Sequence, residues 1–172
     1  IAGWPPHRIA RSGIGRSFQR TNIFPDFSLR ENCALAAEAR LRAGAAAERI
    51  AHALDLAGLA PRADAIAGQL SSGEQRQLEI AMLIASGADL LLLDEPLAGM
   101  GPEETQRVVA LLRDLTRDHT IVLIEHDMDA VFAAADTLTV LVQGRVLAHG
   151  APAEVRRNAA VREAYLGEEE AA

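Results

Sequence analysis

The sequence has no lysine: all 17 of its basic residues are arginine. Arginine and alanine in such abundance suit a GC-rich genome and say nothing of function, but the missing ammonium group bears on the chemistry below. Cysteine is nearly absent too. The single Cys33 excludes an internal disulfide and a CxxC metal site. The five histidines, His7, His52, His119, His126 and His149, show no metal-ligand spacing and read as surface or loop residues. Aromatic residues make up only 3% of a chain that is 49% hydrophobic, so its core has to be built from Leu, Ile, Val and Ala.

No apolar run approaches the length that spans a bilayer. The strongest, residues 90–93, is extended upstream only by Ala88 and is broken by Asp89. The opening Ile-Ala-Gly-Trp-Pro-Pro is not the charged start and apolar stretch of a signal peptide. The default expectation is a soluble, cytoplasmic domain. A net charge of −7 weighs against nucleic acid as the main partner, because phosphate backbones are bound by basic patches. The 172 residues suffice for one domain with a sizeable core. Starting at Ile1 rather than Met, the chain reads as a fragment.

Residues 1–13 read as loop with a short helix, and 14–18 as a short strand ending at Gln19. Ser28 with Glu31 three residues on fits a capping box, which predicts a helix to about Arg42. Gly44 is predicted to break it, with a second helix over 45–56. Ser72 precedes a helical pattern carrying Leu78, Met82 and Leu83. Residues 90–93 form a continuous apolar run between Asp89 and Asp94, the pattern of a strand buried on both faces. Pro102 fits the first turn of a helix with Val108, Val109, Leu111, Leu112 and Leu115 inside it. Residues 120–124 read as a second buried strand and 127–135 as a short helix. Residues 137–142 and 145–148 are two strands joined by a hairpin-like Gln143-Gly144 turn. Short helices over 152–158 and 161–166 lead to an acidic tail. Strand, helix, strand, helix, strand is the order of a parallel α/β sheet.

Three segments carry chemistry. In Leu90-Leu-Leu-Leu-Asp94-Glu95-Pro96, a buried parallel strand delivers two adjacent carboxylates to the carboxyl edge of the sheet, where ligands bind. Adjacent carboxylates repel unless one holds a cation and the other takes a proton. In a phosphoryl-transfer site the first can hold Mg²⁺ and the second can polarise the attacking water. Taken alone, the segment also fits a strand followed by an acidic turn. In Leu70-Ser71-Ser72-Gly73-Glu74-Gln75-Arg76, a helix start exposes N–H donors and a hydroxyl, which is either an anion site or an ordinary N-cap. In Ile121-Val-Leu-Ile-Glu125-His126-Asp127, a histidine follows a buried strand at the edge that carries Asp94 and Glu95, or is simply a loop histidine.

In this order the three segments resemble the ABC ATPase family over essentially the whole chain. Ser71 to Gly73 resembles the signature motif, residues 90–95 the Walker B strand with its catalytic glutamate, and His126 the switch histidine. Gln19, in Gly15-Arg-Ser-Phe-Gln19, matches the Q-loop glutamine, and residues 98–101 occupy the D-loop. Phe18-Gln-Arg-Thr-Asn-Ile-Phe24-Pro25, Glu125-His-Asp-Met-Asp129 and the ending Ala164-Tyr165-Leu166-Gly167 resemble the ATPase subunits of branched-chain amino-acid importers.

The resemblance implies an α/β fold: a P-loop NTPase-like parallel sheet flanked by helices, with a helical subdomain at about 28–86, an α/β part at about 87–167, and no N-terminal strands. The chain would be one partial ATPase domain over 1–172. Its ligands would be ATP and Mg²⁺. Glu95 would be the general base, and Asp94 would help hold Mg²⁺. Gln19 and His126 would contact the γ-phosphate and metal side. Ser71 and Gly73 would meet nucleotide bound mainly on the opposite subunit of a head-to-tail homo- or heterodimer. Gln19 and the helices of 29–56 would lie near the membrane-spanning permease subunits, with a solute-binding protein engaged indirectly and no nucleic acid. The place would be the cytoplasmic face of the cell membrane.

Three features depart from the family pattern. Ser72 and Glu74 stand where Gly and Gln are commonest in the signature. Gly101 ends the D-loop where Asp or Asn is usual. No lysine is available for a phosphate loop, whose Gly-rich backbone and lysine cradle phosphates. The strand leading into that loop would lie between residues 120–124 and 137–142. Without it those two strands should not pair, and each should keep an uncovered edge. The competing readings are a non-transport ABC ATPase of the DNA-repair or translation type, disfavoured by acidity and by the lack of a coiled-coil insertion between Gln19 and Ser71, and a regulatory fragment without activity of its own.

Overall fold

A computed structural model describes residues 1–38 and 43–166. They fall into two compact units, 1–125 and from His126 onward.

The first unit is built on a three-stranded parallel sheet in the order β1 (Ile14–Arg16), β2 (Leu90–Asp94), β3 (Thr120–Ile124). Ile14 stands opposite Leu90, and Leu90 opposite Thr120, so all three strands end at one carboxyl edge. Gly15 allows β1 to come close: a Cβ there would lie 3.0 Å from Ala88 Cβ and 3.1 Å from Leu83 Cδ2. Leu91 and Leu93 are fully buried, each contributing about 2 kcal/mol by the usual area scale.

The buried-strand reading holds for one face of β2 and fails for β3. Val122 is 48% and Ile124 59% exposed. Among the described residues β3 pairs with β2 alone. Alternate side chains on it stay in water, because an apolar run looks the same in sequence whether one or both of its faces are covered. Among the described residues the strand at 138–142 belongs to a different, two-stranded sheet. An uncovered apolar edge of this kind is a template for another chain.

Helices α1 (Pro6–Arg11), α2 (Leu29–Glu38), α3 (Ala43–Leu56), α4 (Ser72–Ala85) and α5 (Pro102–Leu115) complete this unit. α2, α3 and α4 pack on one another. The capping box at Ser28 is present: Glu31 N–H donates to Ser28 Oγ at 3.2 Å, and Ser28 N–H donates to Glu31 Oε2 at 2.8 Å. The bonds that the Ser28 N–H and the Ser28 hydroxyl donate to Glu31 Oε2 hold that carboxyl below its ordinary range. The expected end of α2 near Arg42 lies outside the described residues. Gly44, expected to separate the two helices, sits in the first turn of α3, where backbone N–H groups have no intrahelical partner to lose. Cys33 is buried on α2, and burial pushes its thiol up to about 12, which makes it a packing residue. On α5, Val108, Leu111, Leu112 and Leu115 form the buried stripe.

The second unit holds α6 (Met128–Ala134), the hairpin β4 (Leu138–Val142) and β5 (Arg145–Gly150), and the short helices α7 (Pro152–Arg157) and α8 (Ala159–Val161). Gln143 (φ 49°) and Gly144 (φ 74°) are both left-handed, as a tight hairpin turn requires. Leu138, Val140, Val155 and Val161 form its core, with Phe132 packed against them. Among the described residues no helix is long and apolar enough to cross a membrane.

Candidate functional site

The site is assembled at the carboxyl edge of the three-stranded sheet. At Glu95 the chain leaves β2 with φ 49°, a left-handed value that costs a non-glycine residue on the order of 1–2 kcal/mol. Two bonds hold the turn there. Glu95 N–H donates to the Ile124 carbonyl at 2.9 Å, and Leu97 N–H donates to Glu125 Oε1 at 2.8 Å. The backbone therefore turns off the sheet while its last N–H stays paired.

Gln19 comes to the same place from β1. Ser17, 2% exposed, is the anchor: its N–H donates to the Leu92 carbonyl at 2.9 Å, and its Oγ accepts from Asp94 N–H at 3.1 Å. Two residues later Gln19 Nε2 donates to Glu95 Oε2 at 3.2 Å. Asp94 is half-buried, and its carboxylate lies 3.5 Å from the Arg16 guanidinium. That guanidinium also sits over the Phe18 ring. Gln19 is thus brought together with Asp94 and Glu95, which follow it some 75 residues later in the chain.

Ser71 and Gly73 form the start of α4. The N-cap is Ser71 rather than Ser72. Ser71 Oγ accepts from Glu74 N–H at 3.3 Å, and Glu74 Oε2 accepts from Ser71 N–H at 2.9 Å, a capping box of the S-x-x-E form. Desolvation pushes the Glu74 carboxyl up, but the Ser71 bonds and the ion pair with Arg62 outweigh it and hold it below its ordinary value. Glu74, which replaces the commoner glutamine, thus completes the cap of the helix that presents Ser71.

Gly73 lies under the Glu104 carboxyl, a neighbour that the sequence does not announce. A Cβ there would lie 2.4 Å from Glu104 Oε1. Glu104, in the first turn of α5, also accepts from Gly101 N–H at 3.2 Å, so its carboxylate lies between Gly101 and the start of α4. We expect Gly73→Ala to push Glu104 off Gly101 and to lower stability by about 1 kcal/mol, the usual cost of a lost cap. Thermal unfolding of the variant checks this, and an unchanged midpoint would mean that Glu104 yields freely.

His126 is the first residue of the second unit and is exposed. It precedes Asp127, the N-cap of α6, whose Oδ1 accepts from Ala130 N–H at 3.1 Å. Sequence reasoning passed over Arg16, Ser17 and Glu104. Ser17 stood inside the quoted Gly15-Arg-Ser-Phe-Gln19 string, but nothing in the sequence placed Glu104 beside Gly73, some 31 residues away.

A family profile described as ABC transporter matches residues 4–98, and one described as branched-chain amino acid ATP-binding cassette transporter matches 145–171. The chain is 38% identical to the high-affinity branched-chain amino acid transport ATP-binding protein LivG of Salmonella typhimurium, over 98% of this chain and 73% of that one. BraF of Pseudomonas aeruginosa, described in the same words, is also 38% identical over the same shares. The methionine import ATP-binding protein MetN 2 of Rhodococcus jostii is 40% identical over 83% of this chain and 43% of its own. Among solved structures, cbiO1 of Clostridium perfringens, part of an ABC transporter complex, superposes with a TM-score of 0.79 at 28% identity, covering 91% of this chain and 64% of that one. An ATP-binding cassette of an ABC transporter in its ADP conformation gives 0.80 at 24% identity, covering 95% and 72%, which is a likeness of fold.

Proposed function

The chain belongs to the ABC transporter family of ATP-binding subunits, which are ATPases, and from that premise we propose that it powers an importer of branched-chain amino acids or similar solutes. The observation that carries the hydrolytic part is the Gln19–Glu95 contact beside Asp94 at the carboxyl edge of the sheet. The branched-chain assignment is supported by the profile over 145–171 and by the relatives named for that transport.

Glu95 is the general base that takes a proton from the attacking water. The left-handed turn aims its carboxylate at the sheet edge, and Gln19 orients it. Asp94 and the amide oxygen of Gln19 are oxygen donors, the set that a hard cation such as Mg²⁺ takes together with phosphate oxygens. These residues fit the ion: Asp94 is half-exposed, and its ion pair with the exposed Arg16 is a weak contact that an incoming cation can replace. When bound, Mg²⁺ supplies charge against the phosphate oxygens. Gln19 and His126 contact the γ-phosphate side. Ser71 and Gly73, at the capped start of α4, face nucleotide held by a second ATPase subunit in a head-to-tail dimer. Helix N-termini favour anions for the reason that their N–H groups lack partners.

The helices of 28–86 act as a helical subdomain, and residues 87–167 as the C-terminal α/β part. The stacked Phe24 and Phe27 rings, 5.7 Å apart and half-exposed, offer apolar contact area to membrane-spanning permease subunits. Those subunits, with a solute-binding protein beyond them, place the protein on the cytoplasmic face of the membrane. Affinity capture from the native membrane tests the proposal. It should retain permease subunits, whereas recovery of nucleic acid or ribosomes instead would contradict it.

A further inference from the structure

α4 grips the glutamine segment as well as starting at Ser71. Arg76 and Glu79 lie one turn apart on it, 7% and 5% exposed, with Arg76 Nη1 3.1 Å from Glu79 Oε2. Burying two charges is costly, and a buried ion pair by itself is poor evidence of a stabilising device. What distinguishes this pair is where its remaining valences go. Arg76 Nη1 donates to the Phe18 carbonyl at 2.8 Å, and Nη2 donates to the Gln19 carbonyl. Glu79 Oε1 accepts from Phe18 N–H at 3.4 Å and from Asn22 N–H at 3.3 Å. Four backbone groups of one short segment are held by one pair of side chains.

That segment lies outside the regular ladders. β1 ends at Arg16, and Ser17 N–H is the last of this stretch to donate to the sheet. Residues 18–22 belong to no strand or helix, and the Phe18, Gln19 and Arg20 side chains are exposed. The hydrogen bonds that a sheet would have supplied come from α4 instead. The planar fork of arginine suits two successive carbonyls, which a single ammonium could not serve in the same way.

We propose that Arg76 and Glu79 are positioning residues of the hydrolysis site. The pair fixes the backbone of 18–22 so that the Gln19 amide reaches Glu95. It also makes the position of Gln19 follow the helix whose start carries Ser71 and Gly73. Its consequence for hydrolysis rests on the ATPase reading above; its geometry does not. A shift of α4 produced at its signature end carries Arg76, one turn further on, and with it the carbonyls of Phe18 and Gln19. Nucleotide contact at Ser71 and the orientation of Glu95 are thereby joined through one rigid element.

The test uses the 172-residue chain, labelled with heavy nitrogen, and reads amide exchange together with the side-chain amide signal of Gln19. The double variant Arg76→Met/Glu79→Leu removes both charges and leaves no orphan charge in the interior. In it the Phe18 and Asn22 amides should exchange on the order of tenfold faster, while the β2 amides keep their protection. The Gln19 side-chain signal should move toward the position it takes in Glu95→Ala, which has no acceptor for the Gln19 amide. Glu79→Gln, which keeps an acceptor oxygen, should restore slow exchange at Phe18 and Asn22. Unchanged exchange and an unmoved Gln19 signal in the folded double variant would overturn the proposal, as would faster exchange spread equally through β2. Should the double variant not fold, Arg76→Lys takes its place: a shifted Gln19 signal supports the clamp, and an unmoved one overturns it. In the same residues joined to a lysine-bearing phosphate loop, Glu95→Gln that left hydrolysis intact would sink the ATPase reading without touching the exchange result.

Discussion

In a protein that carries a lysine-bearing phosphate loop together with these residues, Glu95→Gln is expected to lower ATP turnover by about a hundredfold or more and to leave ATP affinity within a few-fold of the parent. Glutamine keeps the shape of the side chain, and its amide oxygen can still accept from Gln19 Nε2, so the turn at the end of β2 and the contact across it are retained. What disappears is the ability to take a proton. General-base catalysis contributes about a hundred- to ten-thousandfold, or roughly 3–5 kcal/mol of barrier at about 1.36 kcal/mol per tenfold. A variant rate within a few-fold of the parent, on the order of 1 kcal/mol, would mean that another group is the base. His126→Ala in the same protein should also lose most turnover through loss of a γ-phosphate contact, and unchanged turnover would remove His126 from the site.

Asn32→Leu should be among the most damaging single changes to the first unit. Asn32 is fully buried on α2, and its amide knits the preceding loop together. Its Oδ1 accepts from Phe24 N–H at 2.8 Å, and its Nδ2 donates to the Phe24 and Ser28 carbonyls at 3.0 Å each. Leucine is of similar shape and makes none of these bonds. The Phe24 N–H would lose its partner, while the Phe24 carbonyl would keep the Phe27 N–H at 3.2 Å; an unpaired donor that water cannot reach costs about 1–3 kcal/mol. A loss of about 1–3 kcal/mol is expected, toward the upper end of the usual effect of a point substitution. Urea denaturation reads it directly as a lower midpoint. Because Asn32 holds the loop that displays Phe24 and Phe27, capture of the permease should weaken in parallel. A midpoint shift equivalent to less than about 0.5 kcal/mol would mean that water takes over the three bonds.

Much of the fold was legible because its signals are local. Four leucines between two aspartates gave β2, Pro102 with an apolar stripe gave α5, and Gln143-Gly144 gave a hairpin whose turn residues both take positive φ. The site was legible in part for the same reason. Asp94 and Glu95 lie at the end of a strand, and a parallel sheet sends strand ends to one edge. What escaped depends on contacts between distant segments. Arg76 and Glu79 have the spacing of an ordinary surface pair, and only the fold reveals that residues 18–22 lie over them. Glu104 reads as a first-turn acid, and its place against Gly73 is set by how α5 meets α4. An uncovered edge on residues 120–124 was expected from the missing neighbouring strand, whereas the apolar run by itself read as a strand buried on both faces, because apolar content reports what a strand can bury, not what lies beside it.

On the proposed function, these 172 residues supply the carboxylates and the orienting glutamine of an ATP-hydrolysing site, and they contain no lysine to grip the phosphates. Phosphate release from Mg·ATP, measured on the purified 172-residue chain and on the same residues joined to a lysine-bearing phosphate loop, tests that division of labour most directly. The account predicts weak ATP binding and no turnover from the chain alone, and steady release from the joined form that Glu95→Gln abolishes. Micromolar ATP affinity with steady release from these residues by themselves, or a joined form in which Glu95→Gln leaves release unchanged, would contradict it.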